Sequence, residues 1–364
     1  MKFIFILIFI FCINTINAQS VNLNQKIIEE KLRDFQLLGN VEKSFSFAVR
    51  PIRYFDISKN NTTISKPKSF NIYKSYNEKV KVQLLPIDYV ANFSSDFPFN
   101  RNNGILIPNK GFQHMYSPGL YFKLGPLETQ FKPEFLYAQN DLYDGFWDEH
   151  FPIIISRRLT RWNLIDNPER FGEEPYRDYH LGQSYLRLNL NSFSIGYSTE
   201  NIWWGPSMRN SIMMSNNAVG FDHISINSNH PIDLGLFDFE FQFITGYLNP
   251  SNFLPSYSSF KFASHLTFVP KNRDKRYFQG FNLVITPKFF EGFSFGFIRW
   301  VQAYNEFIEA NNDFFPVFDN LIRRNDKYGV QSDSLEGSRD QAAGIFIRWL
   351  WIDSNAEIYA EYHL

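Results

Sequence analysis

The sequence has almost no cysteine. Its single one, Cys12, sits in an apolar run at residues 3–13. No small-residue cleavage box of a lipoprotein surrounds it. Lys2, the apolar run and the polar exit from Asn14 to Ala18 have the layout of a secretory signal, assigned to residues 1–18. The run is too short for a membrane-spanning helix. Cleavage after Ala18 leaves no cysteine, which excludes disulfides, thiolate metal sites and a cysteine nucleophile. Charge bias is also missing. Lys and Arg number 36 against 37 Asp and Glu, for a net charge of −1. That argues against a nucleic-acid partner, which calls for a strongly basic face. No second long apolar run follows, and mean hydropathy is −0.29, so helical membrane spans are excluded.

Aromatic residues are abundant, at 18% of the chain with 41 Phe and 19 Tyr. An exported chain that is aromatic-rich yet polar on average fits a transmembrane β-barrel. Lipid-facing and water-facing residues alternate there and cancel in any window average. From residue 42 onward the period is two. In Phe237-Asp238-Phe239-Glu240-Phe241-Gln242-Phe243 every odd position is Phe and every even one is polar. Leu127 to Tyr137, Val80 to Leu84, Phe193 to Tyr197, Phe262 to Phe268 and Ile345 to Trp351 follow the same scheme. A soluble β-sandwich also alternates. The dominance of Phe on one face favours the barrel, with Glu128, Lys132, Glu134, Arg187, Asp238, Glu240, Lys261, His265 and Arg348 facing inward. Such mixed charges cross-link walls by default. They can equally line a channel or bind sugar hydroxyls. Connections are unequal. Gly125-Pro126 and Asn191-Ser192 are short turns, while 56–77, 139–182 and 305–339 are long and polar, the outer-membrane arrangement with long loops extracellular. One helix stands out at 24–38, with Ile28, Leu32 and Phe35 on one face, a charged second face and a Gly39-Asn40 stop.

Catalytic signals are weak. Gly292-Phe293-Ser294-Phe295-Gly296 fits a nucleophile pattern, but that motif needs a strand-turn-helix context, and here it lies in an alternating strand. Trp147-Asp148-Glu149-His150 belongs to a solvated loop, and Asp222 and His223 should point to opposite faces. We expect no enzyme, no cofactor and no metal.

The stretch Asn201-Ile202-Trp203-Trp204-Gly205-Pro206 through Arg209 to Ser215-Asn216-Asn217-Ala218 is the most specific in the chain. Together with Ser95-Asp96-Phe97-Pro98-Phe99, Pro108 to Gln113, Lys31 to Gly39 and Val49-Arg50-Pro51, it resembles the Wzi family of capsule-assembly outer-membrane proteins. The resemblance covers roughly residues 27–360. It implies a non-enzymatic surface lectin in the bacterial outer membrane. Such a protein binds capsular or other surface polysaccharide and anchors or organises it. Its partners are outer-membrane lipid and the barrel assembly machinery. The rival is a passive, porin-like diffusion channel. Trp203, Trp204, Arg209, Asn216 and Asn217 are the polysaccharide-binding candidates, combining flat aromatic faces with planar polar groups. An interfacial anchor is the other role open to the tryptophan pair. The organisation expected is a signal at 1–18, a periplasmic helical segment at 19–40 and a barrel at 41–364. Family members have about eighteen strands, against roughly thirteen strand-like segments here. The last segment, 356–364, ends on a non-aromatic residue. The sequence therefore predicts missing last strands and a wall gapped between the strands near Phe45 and Tyr359.

Overall fold

The computed structural model describes residues 20–21, 26–53, 69–143, 146, 150–263, 265–269, 272–311, 314–319 and 339–364. The signal at 1–18 and the residues Trp147, Asp148 and Glu149 lie outside the described residues.

Alternating stretches become strands of one antiparallel sheet. In chain order these are β1 (Phe70–Lys74), β2 (Val80–Ser94), β3 (Gly111–Leu124), β4 (Leu127–Phe131), β5 (Glu134–Ala138), β6 (Tyr176–His180) and β7 (Tyr185–Leu190). They continue as β8 (Phe193–Ser198), β9 (His223–Ser228), β10 (Phe237–Leu248), β11 (Arg276–Pro287), β12 (Phe293–Tyr304), β13 (Arg339–Trp351) and β14 (Ala356–His363). Strands consecutive in the chain pair from β14 at one edge to β1 at the other, apart from β4 with β5 and β6 with β7, which follow one another end to end. β4 and β5 both lie on β3, and they meet β7 and β6 in turn. They are one long strand broken at Lys132-Pro133, where Pro cannot donate to the ladder.

A meander of this kind puts alternate connections at opposite ends. The turns 75–79, 125–126, 191–192, 288–292 and 352–355 share one end, and 95–110, 139–175, 199–222, 249–275 and 305–338 share the other. The tight turns use left-handed backbone, with φ 59° at Gly125 and 57° at Asn191, the conformation that Gly and Asn tolerate. The 56–77 loop expected from sequence is shorter than that, because Phe70–Lys74 pairs with β2.

The two faces of the sheet are inverted relative to a soluble protein. Along β3, Phe112, Tyr116, Leu120 and Leu124 are exposed while Gln113, Ser117 and Lys123 are buried. Leu186 and Leu188 are exposed on β7 beside buried Arg187 and Asn189. On β13, Ile345 and Ile347 flank the buried Phe346 and Arg348. Polar groups thus face an interior and apolar ones face outward, the pattern of a wall set in lipid.

That interior is occupied. Helix α1 (Lys26–Leu37) and the segment 41–53 fill it from the short-turn end, with Leu32, Val41, Phe45, Phe47 and Ile52 forming a core cluster. The segment 199–222 dips in from the long-connection end. Its Trp203 and Trp204 pair with Val49 and Arg50 in a two-residue ladder. A second cluster joins Ala48, Ile202, Trp204 and Met213 to the wall residues Ile244, Phe278, Val284, Ile298 and Phe346. The wall curls around this plug. Side chains from β7, β9, β10, β11, β13 and β14 all bond to the stretch from Arg33 to Arg53.

The structure departs from several expectations. Phe45 is not a wall strand; Phe45 to Ala48 are buried on both sides, so no in-out alternation exists there. β14, which contains Tyr359, is an edge of the sheet, but the opposite edge is β1. Among the described residues nothing pairs β1 with β14. Lys261 and His265 do not face inward. They are exposed on a separate ribbon, Lys261–Phe262 against His265–Leu266, inside the 249–275 connection. A two-residue ribbon alternates like a wall strand but is too short to cross one. On the charged face of α1, Glu30, Lys31 and Asp34 are exposed, but Arg33 is buried against the wall. Two further helices escaped prediction in the long connections, α2 (Pro152–Trp162) and α3 (Asn305–Asn311). α2 buries Ile155 and Leu159 at helical spacing. No described helix is long and apolar enough to cross a membrane.

Candidate functional site

The predicted inward residues meet on the plug and on the inner face of the wall. Arg348 is the hub. Its guanidinium donates to Glu357 Oε2 at 2.8 Å through Nε and to the Phe45 and Ser46 carbonyls at 3.2 Å through Nη1. Glu357 also receives Arg33 Nη2 at 2.8 Å, and Arg33 Nη1 donates to the Pro206 carbonyl at 2.8 Å. Two cations thus share one carboxylate between wall and plug. Glu240 Oε2 accepts the Ser46 amide at 2.9 Å. Arg50, fully buried, pairs with Glu29 of α1 and donates to the Gly205 carbonyl at 2.7 Å. Arg53 reaches Asn227 at 3.1 Å and bonds Asn229. Breaking any such buried pair strands a charge away from water, which is strongly destabilising.

The remaining inward residues pair mostly within the wall, with Arg187 reaching the 199–222 segment. Glu128 faces Lys123 at 3.8 Å, Lys132 pairs with Asp88 at 3.0 Å, and Glu134 accepts from Gln183 at 3.1 Å. Arg187 pairs with Glu200 at 2.7 Å. Asp238 lies at the short-turn end, 3.5 Å from Lys288.

The tryptophans sit deep in this arrangement. Trp204 is 0% exposed and Trp203 3%. The Trp204 indole donates to Gln242 Oε1 at 2.6 Å, and the Trp203 indole donates to the Ser207 carbonyl at 2.8 Å. Trp203 also lies 5.8 Å from the Arg50 guanidinium. Neither ring reaches the outer surface, so the interfacial-anchor role is excluded by burial. Asn216 is buried too, and its carbonyl accepts the Gly104 amide at 2.9 Å. Asn217 Oδ1 accepts the Asn102 amide at 2.8 Å, which ties the 95–110 connection to 199–222. Arg209 and Asn217 are exposed. Of the five polysaccharide candidates, then, only these two present side chains to solvent.

A family model described as capsule assembly protein Wzi matches residues 113–363, well over half of the chain. The chain belongs to the Wzi family. No curated protein and no solved structure gives a significant match. The Wzi match runs from β3 to β14 and includes the Asn201 to Ala218 stretch. α1, the 41–53 segment and the Ser95 to Phe99 stretch precede it. Within the matched range Ser294 is buried in β12 and shares a hydrogen bond of 2.9 Å with Thr286, a strand position rather than an exposed elbow. His223 is buried against the Phe221 carbonyl, while Asp222 bonds Tyr197 on the other face.

Sequence reasoning missed Arg33, Arg50, Glu357 and Glu361 as interior groups. Glu361 accepts the Ser207 amide at 3.0 Å and the Ile212 amide at 3.3 Å. The alternation of β14 does place Glu357 and Glu361 on one face. For Arg33 and Arg50 no local signal exists.

Proposed function

We propose that this member of the Wzi family is a non-enzymatic outer-membrane protein that binds surface polysaccharide and anchors or organises the capsule at the cell surface. The sheet is the membrane wall of a β-barrel, and the short-turn end with α1 faces the periplasm. The long connections lie outside, where Arg209 and Asn217 are contact candidates. Insertion uses outer-membrane lipid and the barrel assembly machinery. The observation that carries this reading is the inverted sheet, apolar outward and charged inward, in a chain matched by a capsule-assembly family model. The plug supports an anchor over an open channel, because 26–53 and 199–222 occupy the space a diffusion pathway would need.

Deletion of the gene tests the reading. Cells should still make capsular polysaccharide but release it into the medium, and the intact gene should restore retention. Equal retention with and without the gene would refute it. Purified protein in planar bilayers should give no large stable currents; sustained conductance would favour the channel.

A further inference from the structure

The long-connection end carries a notch of about 70 Å³, lined by Trp162, Asp166, Asn252, Phe253, Asn272 and Arg273 among others. Its walls are tied together. α2 ends at Trp162, and the next residue, Asn163, donates to the Thr267 carbonyl at 3.0 Å and accepts the Val269 amide at 2.9 Å. Asp166 accepts both the amide and the hydroxyl of Ser251. Arg158 pairs with Glu169 and lies 4.4 Å from the centre of the Phe146 ring. Phe253 packs on Phe171 and Tyr176, and Phe268 is buried with Ile155 and Leu159. The 139–175 and 249–275 connections therefore form one layer with a preformed opening, which lowers the ordering cost of binding.

Basic residues outnumber acidic ones around the notch, where Asp166, Glu169 and Asp274 are the carboxylates. α2 contributes Arg157, Arg158 and Arg161, and the other wall leads into Arg273, Lys275 and Arg276. Arg158 is taken by Glu169. Arg157, Arg161 and Arg273 are exposed and form no ion pair among the described residues. Asp166, the carboxylate in the lining, is bonded to Ser251, and Asp274 accepts the Lys275 and Glu306 amides. Small-ligand pockets usually exceed about 300 Å³, so this notch cannot enclose a free ligand. It can seat one ring of a chain that continues across the surface. Trp162 and Phe253, both half-buried, offer ring faces to sugar C–H groups. Asn252 and Asn272 offer amides to hydroxyls. A guanidinium beside them matches a carboxylate with two parallel hydrogen bonds.

We infer that the notch between Trp162 and Arg273 seats a carboxylated polysaccharide, one ring of an acidic polymer, with Arg273 meeting the carboxylate. This rests on the polysaccharide-binding reading above and names its site and its ligand class. The test uses the purified full chain in detergent, titrated with oligogalacturonate, with neutral dextran oligosaccharide and with phosphatidylglycerol vesicles. Oligogalacturonate should bind, more weakly as salt rises, and dextran should not. Arg273→Gln, at an exposed position, should weaken oligogalacturonate roughly tenfold, the loss of one charge-assisted hydrogen-bonding group. Trp162→Ala should weaken it as well, with heat-modifiable gel migration as the check that the variant is folded. Equal binding of dextran, unchanged affinity in Arg273→Gln, or an Arg273 effect confined to the vesicles would overturn the inference. A deletion strain carrying Arg273→Gln separates the two levels. If that strain holds its capsule normally while the deletion sheds it, the notch assignment fails and the anchoring reading stands. If the deletion itself keeps its capsule, the anchoring reading fails.

Discussion

The wall and the plug follow opposite rules. In the wall the apolar side chains are outside and the charges inside: Phe193, Ile195 and Tyr197 are exposed on β8 while Ser194 and Ser198 are buried. In the plug Trp204, Ala48, Ile202 and Met213 gather in a core, as in any soluble domain. One chain thus solves two solvent problems. On the membrane reading proposed above, the wall needs an apolar exterior because hydrocarbon would surround it, and its backbone groups would have to pair internally. The plug needs an apolar interior because water meets its ends. The joint between them is built from charges, with Arg33, Arg348, Glu240 and Glu357 bonding across it.

That contrast can be broken at its joint, in the plug or in the wall. The largest effect is expected at the joint. Arg348→Ala leaves Glu357 with Arg33 alone and takes a donor from the Ser46 carbonyl and one of two from the Phe45 carbonyl, which keeps Gln36, at about 3–5 kcal/mol. The folded, heat-modifiable band should disappear at a clearly lower temperature. Trp204→Ala, in the plug, removes a fully buried ring at about 3–5 kcal/mol by the large-to-small rule. That loss should loosen the plug and leave the wall standing: membrane insertion persists, but protease sites open within 199–222. On the wall, Phe241→Arg places a charge on the outward face. It should cost about 2–4 kcal/mol if that face meets the bilayer midplane and lower the inserted yield, whereas Phe241→Leu should be near neutral. The smallest effect belongs to Ser294→Ala. It removes one hydrogen bond to Thr286, about 1 kcal/mol, and capsule retention should be unchanged.

The sequence made the wall legible and left the plug obscure, for a physical reason. Alternation is a local signal, and Phe237 to Phe243 carries it within seven positions. It separates the two faces of a strand and, when one face is nearly all Phe, tells which faces outward. The two ends of the sheet were legible for the same reason, from Gly125-Pro126 and Asn191-Ser192 against the long polar stretches. The segments 41–53 and 199–222 have no period. Their partners are far away: Arg33 meets Pro206, and Arg348 meets Phe45. Nothing near Trp203 or Trp204 in sequence distinguishes a ring stacked in the interior from one at a membrane interface. Lys261 and His265 mark the opposite failure, an alternating stretch too short to be a wall.

The outward apolar face is the claim on which the rest depends, and a chain without cysteine after residue 12 is well suited to test it. Single cysteines at positions 193, 195 and 241, and at 194 and 242, can each carry a nitroxide label in protein reconstituted into bilayers. The decisive measurement is the collision rate of each label with oxygen, which concentrates in lipid, and with a water-soluble nickel chelate. Positions 193, 195 and 241 should meet oxygen and not nickel, and 194 and 242 should be shielded from both. Nickel access along 193, 195 and 241 would place that face in water and contradict the account.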